Sequence, residues 1–349
     1  MKINNNWDSQ TLQDIGEEQI IRLLAEIIDK SDFLGRNEDA IAQEWNYSTL
    51  VANTDAMSWK SDVLPNMTPS QIGKKIVSIT ASDLAAKGAI PKIFMSSINL
   101  PSTEKIKTLL DIAIGIKEGA HTYGMKYLGG DMGTATEGVI VGFAIGSAIK
   151  GHILRRDGVR DADCVCVTGK FGYTGAVIRN LNQNQSLQRI KPDWIKKLLE
   201  PTAKTIEGRI LNESGEVNAS IDSSDGLAKS LWELANQSKK RIIITELPVD
   251  KSVMDYASKN DLNLMDLVFY GGEEYELVFC MPLESFPILK QKLAHIGSEI
   301  EMIGYVTKGE TGVYFEQKEK LVELPRKGWW DAFGSPAALS QRKISGKNQ

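Results

Sequence analysis

Apolar residues recur at helical spacing in several stretches, and shorter apolar runs of strand length lie between them. Helical spacing predicts helices over 17–30, 70–87, 103–123, 194–211, 227–237, 251–259 and 282–295. Apolar runs predict strands that end at 51–55 or cover 92–100, 138–149, 165–169, 217–221, 241–245, 276–280 and 301–306. This mixture is typical of an α/β or α+β fold.

A polar stretch from Arg155 to Asp163 separates two such mixtures, and a new strand-glycine-helix unit begins at Val165. We therefore predict two mixed α/β domains, residues 1–150 and 151–349. The polar segment after Gly334 is predicted to be frayed.

Composition and charge exclude several kinds of partner. The 349 residues are 42% hydrophobic and 25% charged, which is enough apolar material for a large core. The net charge is −4 with both signs interspersed, so no broad basic surface is available and nucleic acid is not expected as a partner. The longest apolar run, 138–149, is too short to span a bilayer, and the N-terminus lacks a signal-peptide core, so we expect no membrane partner.

The three cysteines do not make up a set of zinc ligands, because no fourth cysteine or nearby histidine completes one. Cys164 and Cys166 alternate onto one strand face and Cys280 ends another strand, so buried thiols are expected. This usage fits a reduced, cytoplasmic location.

Short segments that combine aspartate or glutamate with glycine, serine, threonine or asparagine are the main candidates for chemistry. They lie at 37–39, 53–55, 82–83, 129–133, 222–226 and 271–275. Each alone is typical of a turn or helix cap. If they converge, their carboxylates repel by about 1 kcal/mol per pair at 4 Å even in water, so a cation is expected among them. Oxygen ligands favour Mg²⁺ or Ca²⁺, and Mg²⁺ commonly bridges carboxylates to phosphate oxygens.

Other known motifs fit poorly. Asp222 begins a calcium-loop-like spacing with Glu233 at the twelfth position, but Gly226 occupies the fifth, where an oxygen side chain is needed. The chain has no P-loop and no protein-kinase catalytic loop, and its three histidines lie on unrelated segments. The glycines of 169–175 resemble an anion cradle, although tight packing explains them equally well. Phosphoryl transfer fits the acidic segments better than acyl transfer does.

In order and spacing, these segments resemble the thiamine-monophosphate kinases of the aminoimidazole ribonucleotide synthetase-like superfamily. The resemblance runs from about Gly16 to Phe333, and its most specific motif is Ser82-Asp-Leu-Ala-Ala-Lys-Gly-Ala89. The other matching segments are 37–40, 54–55, 129–131, 155–158, 167–172, 224–227, 271–277 and 328–333. Glu38 departs from the family pattern, which has aspartate there.

The resemblance implies a fold, a set of ligands and a site. Residues 1–150 would bind ATP and Mg²⁺ and pair in a homodimer, and residues 151–349 would complete the site. Several Mg²⁺ ions would be held by Asp39, Asn53, Thr54, Asp55, Asp83, Asp131, Asp222 and Asp225. ATP would contact Gly130, Asp131, Arg156 and Ser224. Thiamine monophosphate would contact Asp62, Glu273 and Trp330.

The reaction implied is direct transfer of the ATP γ-phosphate to thiamine monophosphate, giving thiamine diphosphate without a catalytic acid or base. Two alternatives remain open: another ATP-using enzyme of the superfamily, or a non-catalytic sensor that binds thiamine phosphates or ATP. Selenophosphate synthetase would need a reactive cysteine near the N-terminus, whereas the first cysteine here is Cys164.

Overall fold

The computed structural model describes residues 33–34, 38–46, 48–64, 66–182, 190–318 and 320–328, which form two β-sheets with helices against them. The strands of the first sheet are β1 (Ile41–Trp45), β2 (Ser48–Ser58), β3 (Ile90–Leu100), β4 (Lys126–Thr134) and β5 (Val139–Ile149). Their order is β1-β2-β5-β3-β4, and β3 and β4 run parallel whereas the other neighbours are antiparallel.

The second sheet lies later in the chain. Its strands are β6 (Asp163–Val167), β7 (Ala219–Asp222), β8 (Arg241–Ile244), β9 (Leu277–Pro282), β10 (Glu301–Thr307), β11 (Gly312–Gln317) and β12 (Lys320–Glu323). Their order is β12-β11-β8-β10-β6-β9-β7. β6 is buried along its whole length, which explains why it is a continuous apolar run. The mixed α/β class predicted from the sequence is confirmed.

Helices cover these sheets. They are α1 (Pro69–Ala86), α2 (Ile106–Thr122), α3 (Tyr173–Asn182), α4 (Pro192–Leu199), α5 (Thr205–Ser214), α6 (Leu227–Ser238), α7 (Lys251–Lys259), α8 (Leu264–Tyr270) and α9 (Phe286–Ala294). The single helix predicted over 194–211 is wrong, because the chain leaves α4 before Pro201 and re-enters a helix at α5. Proline lacks the N–H that a continuous helix needs.

Three of the acidic segments lie inside regular elements and not in turns. The glycine-rich segment 129–133 belongs to β4, Ser82 and Asp83 belong to α1, and β2 continues through Asp55 to Ser58. In each case the tertiary partner supplies backbone or packing interactions that outweigh the local turn preference of glycine, serine and aspartate. The helix predicted over 17–30 lies outside the described residues.

The cysteines are buried and free, as predicted. The Sγ atoms of Cys164 and Cys166 lie 3.7 Å apart on the same face of β6. Within the described part of the chain, no helix combines the length and the apolar character that crossing a membrane requires.

Helix α1 contacts elements of both halves of the molecule, including β2, β5, α5 and β7. A capping box fixes its start: the Gln71 backbone N–H donates to Thr68 Oγ1 over 3.3 Å, and the Thr68 N–H donates to Gln71 Oε1 over 2.9 Å. Gly88 follows its end with φ of +69°, a conformation that glycine adopts without strain. Local signals therefore fix both ends of the helix that spans the two halves.

Glycines allow α1 and α2 to approach closely. A Cβ atom at Gly73 would lie 2.2 Å from the carbonyl oxygen of Ile112, and one at Gly115 would lie 2.1 Å from that of Ser70. Both neighbours are backbone atoms and cannot rotate away, so a larger residue forces the helices apart.

We predict that Gly73→Ala destabilises the protein by about 1–3 kcal/mol, because the steric cost exceeds the gain of about 1 kcal/mol in helix propensity. Chemical denaturation measures the difference. Gly119→Ala is the matched control, since a Cβ there would first meet Val77 Cβ at 3.1 Å. Equal stability of the two variants would contradict the proposed close contact.

Candidate functional site

Three carboxylates from distant parts of the chain converge at one place. Asp39 precedes β1, Asp83 lies in α1 and Asp222 ends β7, and one oxygen of each lies within 4.8 Å of the others. Ser82 Oγ donates a hydrogen bond of 2.7 Å to Asp222 Oδ2. Helix α1 therefore meets both the first and the second sheet at this cluster.

Strand β2 adds two more polar side chains on the face that meets α1. Asn53 Nδ2 donates to Asp83 Oδ2 over 2.7 Å and to Asp55 Oδ2 over 3.5 Å. Thr54 alternates onto the opposite face, where its hydroxyl donates to the carbonyl of Gly142 over 2.9 Å. The structure therefore brings Asn53 and Asp55 to the cluster and turns the Thr54 side chain away from it.

Two buried cations bind Asp39. Lys87 Nζ lies 2.7 Å from Asp39 Oδ2 and 2.5 Å from Glu38 Oε2, and the Lys87 side chain is 0% exposed. Arg156 forms an ion pair with Asp39 through Nη2, and its backbone N–H donates to Glu38 Oε1 over 3.1 Å. Arg156, predicted to contact ATP, is thus a partner of a predicted metal ligand in this structure.

The pKa values of the cluster diverge as a result. Burial would raise the pKa of Asp39, but the charges of Arg156 and Lys87 lower it to about 2. Burial and the charge of Asp39 raise the pKa of Asp222 to about 7. Burial, followed by the charges of Asp55 and Asp222, raises the pKa of Asp83 well above its ordinary value. The cluster therefore has less positive charge than its carboxylates require.

This donor set fits Mg²⁺. The converging acceptor atoms are carboxylate oxygens of Asp39, Asp83 and Asp222, and Mg²⁺ prefers oxygen ligands of this kind. Asn53 Oδ1 is buried and finds no hydrogen-bond donor among the residues that the structure describes. A divalent cation held by the three carboxylates would neutralise the cluster.

A small cavity lies further along α1, at Lys75, eight positions before Asp83. It is lined by Ser61, Asp62, Leu64, Lys75, Ile178, Leu198 and Glu273. Asp62 is held in place by the Ser58 backbone N–H at 2.8 Å and the Ser61 hydroxyl at 2.5 Å. The structure thus brings together Asp62 and Glu273, two of the residues predicted to bind substrate, whereas Trp330 lies outside the described residues.

Backbone hydrogen bonds join this cavity to the loop after β7. The N–H of Glu273 donates to the carbonyl of Ser224 over 2.6 Å, and that of Tyr275 donates to Ser223 over 2.9 Å. Glu273 and Tyr275 have φ angles of +67° and +52°, which are strained for residues with side chains. The segment is therefore held in a fixed, costly conformation next to Ser224.

The remaining predicted residues lie at the periphery. Strand register places Asp55, Gly142, Ser96 and Gly130 in one row across the first sheet. Three strand spacings separate the ends of this row, about 14 Å. Gly130 and Asp131 are exposed on edge strand β4. Asp225, after β7, forms an ion pair of 2.7 Å with Lys229 one turn into α6.

Sequence reasoning missed Lys75 and Lys87, which the structure buries against Glu273 and Asp39. Their signal was present: both lysines occur in or directly after a helix whose other positions are mostly apolar or small. Lysine is rarely buried without a partner, so such a position indicates a nearby carboxylate.

We predict that the metal-free protein loses stability as the pH rises from about 4 to 7. In that window the folded state keeps a proton on Asp222, whose pKa is about 7 compared with an ordinary value of 3.8, and the unfolded chain does not. Asp222→Asn is neutral at every pH, so its stability should fall less steeply. Urea unfolding in EDTA across this range measures both slopes.

Asp111→Asn is the control, because this aspartate lies on α2 in an exposed i,i+4 ion pair with Lys107. It should keep the slope of the unsubstituted protein. An unchanged slope in Asp222→Asn would show that this carboxyl does not carry the proton.

Known proteins resemble this chain in sequence. The family model described as AIR synthase related protein, N-terminal domain, matches residues 37–148. Thiamine-monophosphate kinase of Pyrococcus horikoshii is 36% identical over 315 residues, covering 90% of this chain and 95% of that protein.

Two solved structures also match this chain over most of its length. The crystal structure of tt0281 from Thermus thermophilus matches with a TM-score of 0.82 and 29% identity, covering 90% of this chain and 100% of that one. A structure of AaThiL complexed with AMPPCP and TMP matches with a TM-score of 0.79 and 28% identity, covering 92% of this chain and 98% of that one. With 36% identity to a curated relative over nearly its whole length, this chain belongs to the thiamine-monophosphate kinase family.

Proposed function

We propose that this chain transfers the γ-phosphate of ATP to thiamine monophosphate and releases thiamine diphosphate and ADP. The observation that carries the proposal is the convergence of Asp39, Asp83 and Asp222, together with a cavity that contains Asp62 and Glu273 about two helical turns away along α1. Two negatively charged substrates repel each other, so their reaction needs positive charge between them. A carboxylate cluster that binds cations would supply this positive charge, and the cavity with Asp62 and Glu273 would bind a cationic ring.

Asp39, Asp83 and Asp222, with Asn53 and Asp55 beside them, would hold Mg²⁺. We propose peripheral roles for the other predicted ligands, namely Thr54, Asp131 and Asp225. Bound Mg²⁺ would supply neutralisation of the phosphate oxygens. The positions of these other ligands are consistent with more than one ion, since Asp131 lies on the edge strand and Asp225 lies just before α6.

ATP would lie between edge strand β4 and the loop after β7. Gly130 is exposed on β4, with a φ of +149° that glycine adopts without strain. The absence of a side chain leaves the backbone accessible to phosphate. Asp131 and Ser224 lie next to this path, and Arg156 would reach the nucleotide if a metal ion replaces it at Asp39.

Thiamine monophosphate would bind at the residues that line this cavity, which has only about 10 Å³ of accessible space and would have to widen to admit a ring. Leu64, Ile178 and Leu198 provide an apolar wall for a ring system, and Asp62 and Glu273 provide negative charge for its cationic ring. Trp330 is proposed as a further contact, since an indole face attracts a cation.

The residues of this site would act by binding and orienting the two substrates. The acceptor is a phosphate that is already ionised at neutral pH, so no side chain needs to remove a proton from it. The bond to the γ-phosphorus forms as the bond to ADP breaks, and no group of the protein is phosphorylated. We therefore propose no catalytic acid or base.

We also propose a homodimer and two domains, 1–150 and 151–349, for a protein that acts in the cytoplasm. Support for the dimer comes from the face of the first sheet opposite α1. Phe143 and Met95 are paired across β5 and β3 on that face and are 38% and 37% exposed, and Ile149, on the same face of β5, is 52% exposed. Exposed apolar side chains grouped on one sheet face favour contact with another protein surface.

Incubation with Mg²⁺, ATP and thiamine monophosphate should give thiamine diphosphate, measured by chromatography. Asp83→Asn should lower turnover by about 100-fold or more, because the cluster loses a charged ligand. Asp111→Asn on α2 is the matched control and should keep full activity. Binding of ATP and thiamine monophosphate without any product would overturn the kinase proposal in favour of a sensor.

A further inference from the structure

The cavity for the substrate ring contains a buried ion pair. Lys75 Nζ lies 2.6 Å from Glu273 Oε2, and the two side chains are only 3% and 13% exposed. Lys75 belongs to α1, whereas Glu273 belongs to the segment between α8 and β9. Charges removed from water in this way are costly unless each keeps a partner.

A cationic ligand that binds Glu273 must displace this ammonium. The backbone of Glu273 is fixed, because its N–H is bonded to Ser224 at 2.6 Å and its φ angle is +67°, so its carboxylate can move only by rotation of its side chain. Lys75 has a flexible four-carbon stem, so its head group is the one that moves. The displaced ammonium then needs a new anion.

A ligand with positive charge alone leaves Lys75 without a counter-ion. A ligand that carries both a cation and an anion satisfies both members of the pair. Lys75 and Asp83 are eight positions apart on α1, a rise of about 12 Å, so a ligand that bridges the ion pair and the carboxylate cluster would have to extend along this helix. The field of Glu273 also extends to Asp55, whose pKa is raised first by burial and further by the charges of Asp39 and Glu273.

We propose that Lys75 makes the site selective for thiamine monophosphate over thiamine, because its ammonium leaves Glu273 and pairs with the phosphate of the substrate. The cationic ring replaces the ammonium at Glu273, and the ammonium pairs with the phosphate. The inference rests on the proposed function, and it assigns a substrate-binding and specificity-determining role to a residue that sequence reasoning did not identify.

Calorimetric titration of thiamine monophosphate and of thiamine, in the presence of Mg²⁺ and a non-hydrolysable ATP analogue, tests this proposal. In Lys75→Met, the affinity for thiamine monophosphate should fall about 30-fold or more, because its phosphate loses a charged partner. The affinity for thiamine should stay the same or rise, because Glu273 is already free of its lysine. The ratio of the two dissociation constants therefore approaches one.

Lys75→Gln is a second variant that removes the charge and keeps a hydrogen-bond donor, and it should show the same change in ratio. Lys74→Met is the matched control, since Lys74 forms a more exposed ion pair with Glu118 at 3.0 Å, and it should leave both affinities unchanged. Thermal unfolding of each variant verifies folding.

An equal loss of affinity for both ligands in the Lys75 variants would indicate a merely structural role and overturn the proposal. Unchanged affinity for thiamine monophosphate would also overturn it. A different result marks failure of the proposed function itself: the unsubstituted protein would neither bind nor phosphorylate thiamine monophosphate.

Discussion

Repulsion among buried carboxylates is the constraint on which this architecture depends. Asp39, Asp83 and Asp222 bring oxygens within 4.8 Å of one another, and such an arrangement is unfavourable unless positive charge compensates it. Lys87 and Arg156 compensate Asp39, yet the pKa values of Asp83 and Asp222 stay raised by burial and by neighbouring acids. The fold thus keeps a cluster that weakens it when no metal is bound, which is typical of a site selected for binding rather than stability.

Helix α1 connects every part of this site. Asp83 points to the carboxylate cluster, Lys75 to the substrate cavity, and Lys87, directly after the helix, to the Glu38–Asp39 loop. Because α1 also packs closely on α2 through Gly73, these side chains share one rigid support. In the proposed reaction, this support fixes the distance between the thiamine ring and the ions at its phosphate.

The sequence predicted correctly those elements whose position and ends are fixed by residues nearby in the chain. The helix over 70–87 is observed as Pro69–Ala86, because its apolar spacing, capping box and terminal glycine all act locally. Strand β4 was missed, since its glycines favour a turn and only pairing with β3 makes it a strand. Family motifs singled out Asp39, Asp83 and Asp222, which the structure brings together, and their role as metal ligands stays a prediction. Burial of Lys75 and Lys87 depends on segments far away in the chain, so no local pattern fixes their partners.

A crystal structure with Mn²⁺ in place of Mg²⁺ and a non-hydrolysable ATP analogue tests the central claim most directly, because anomalous scattering locates the ions without assumption. We expect at least one anomalous peak within about 2.2 Å of an oxygen of Asp39, Asp83 or Asp222, with a further peak toward Asp131. Nucleotide bound in a crystal without any peak at these three carboxylates, and with Lys87 and Arg156 still paired with Asp39, would contradict it.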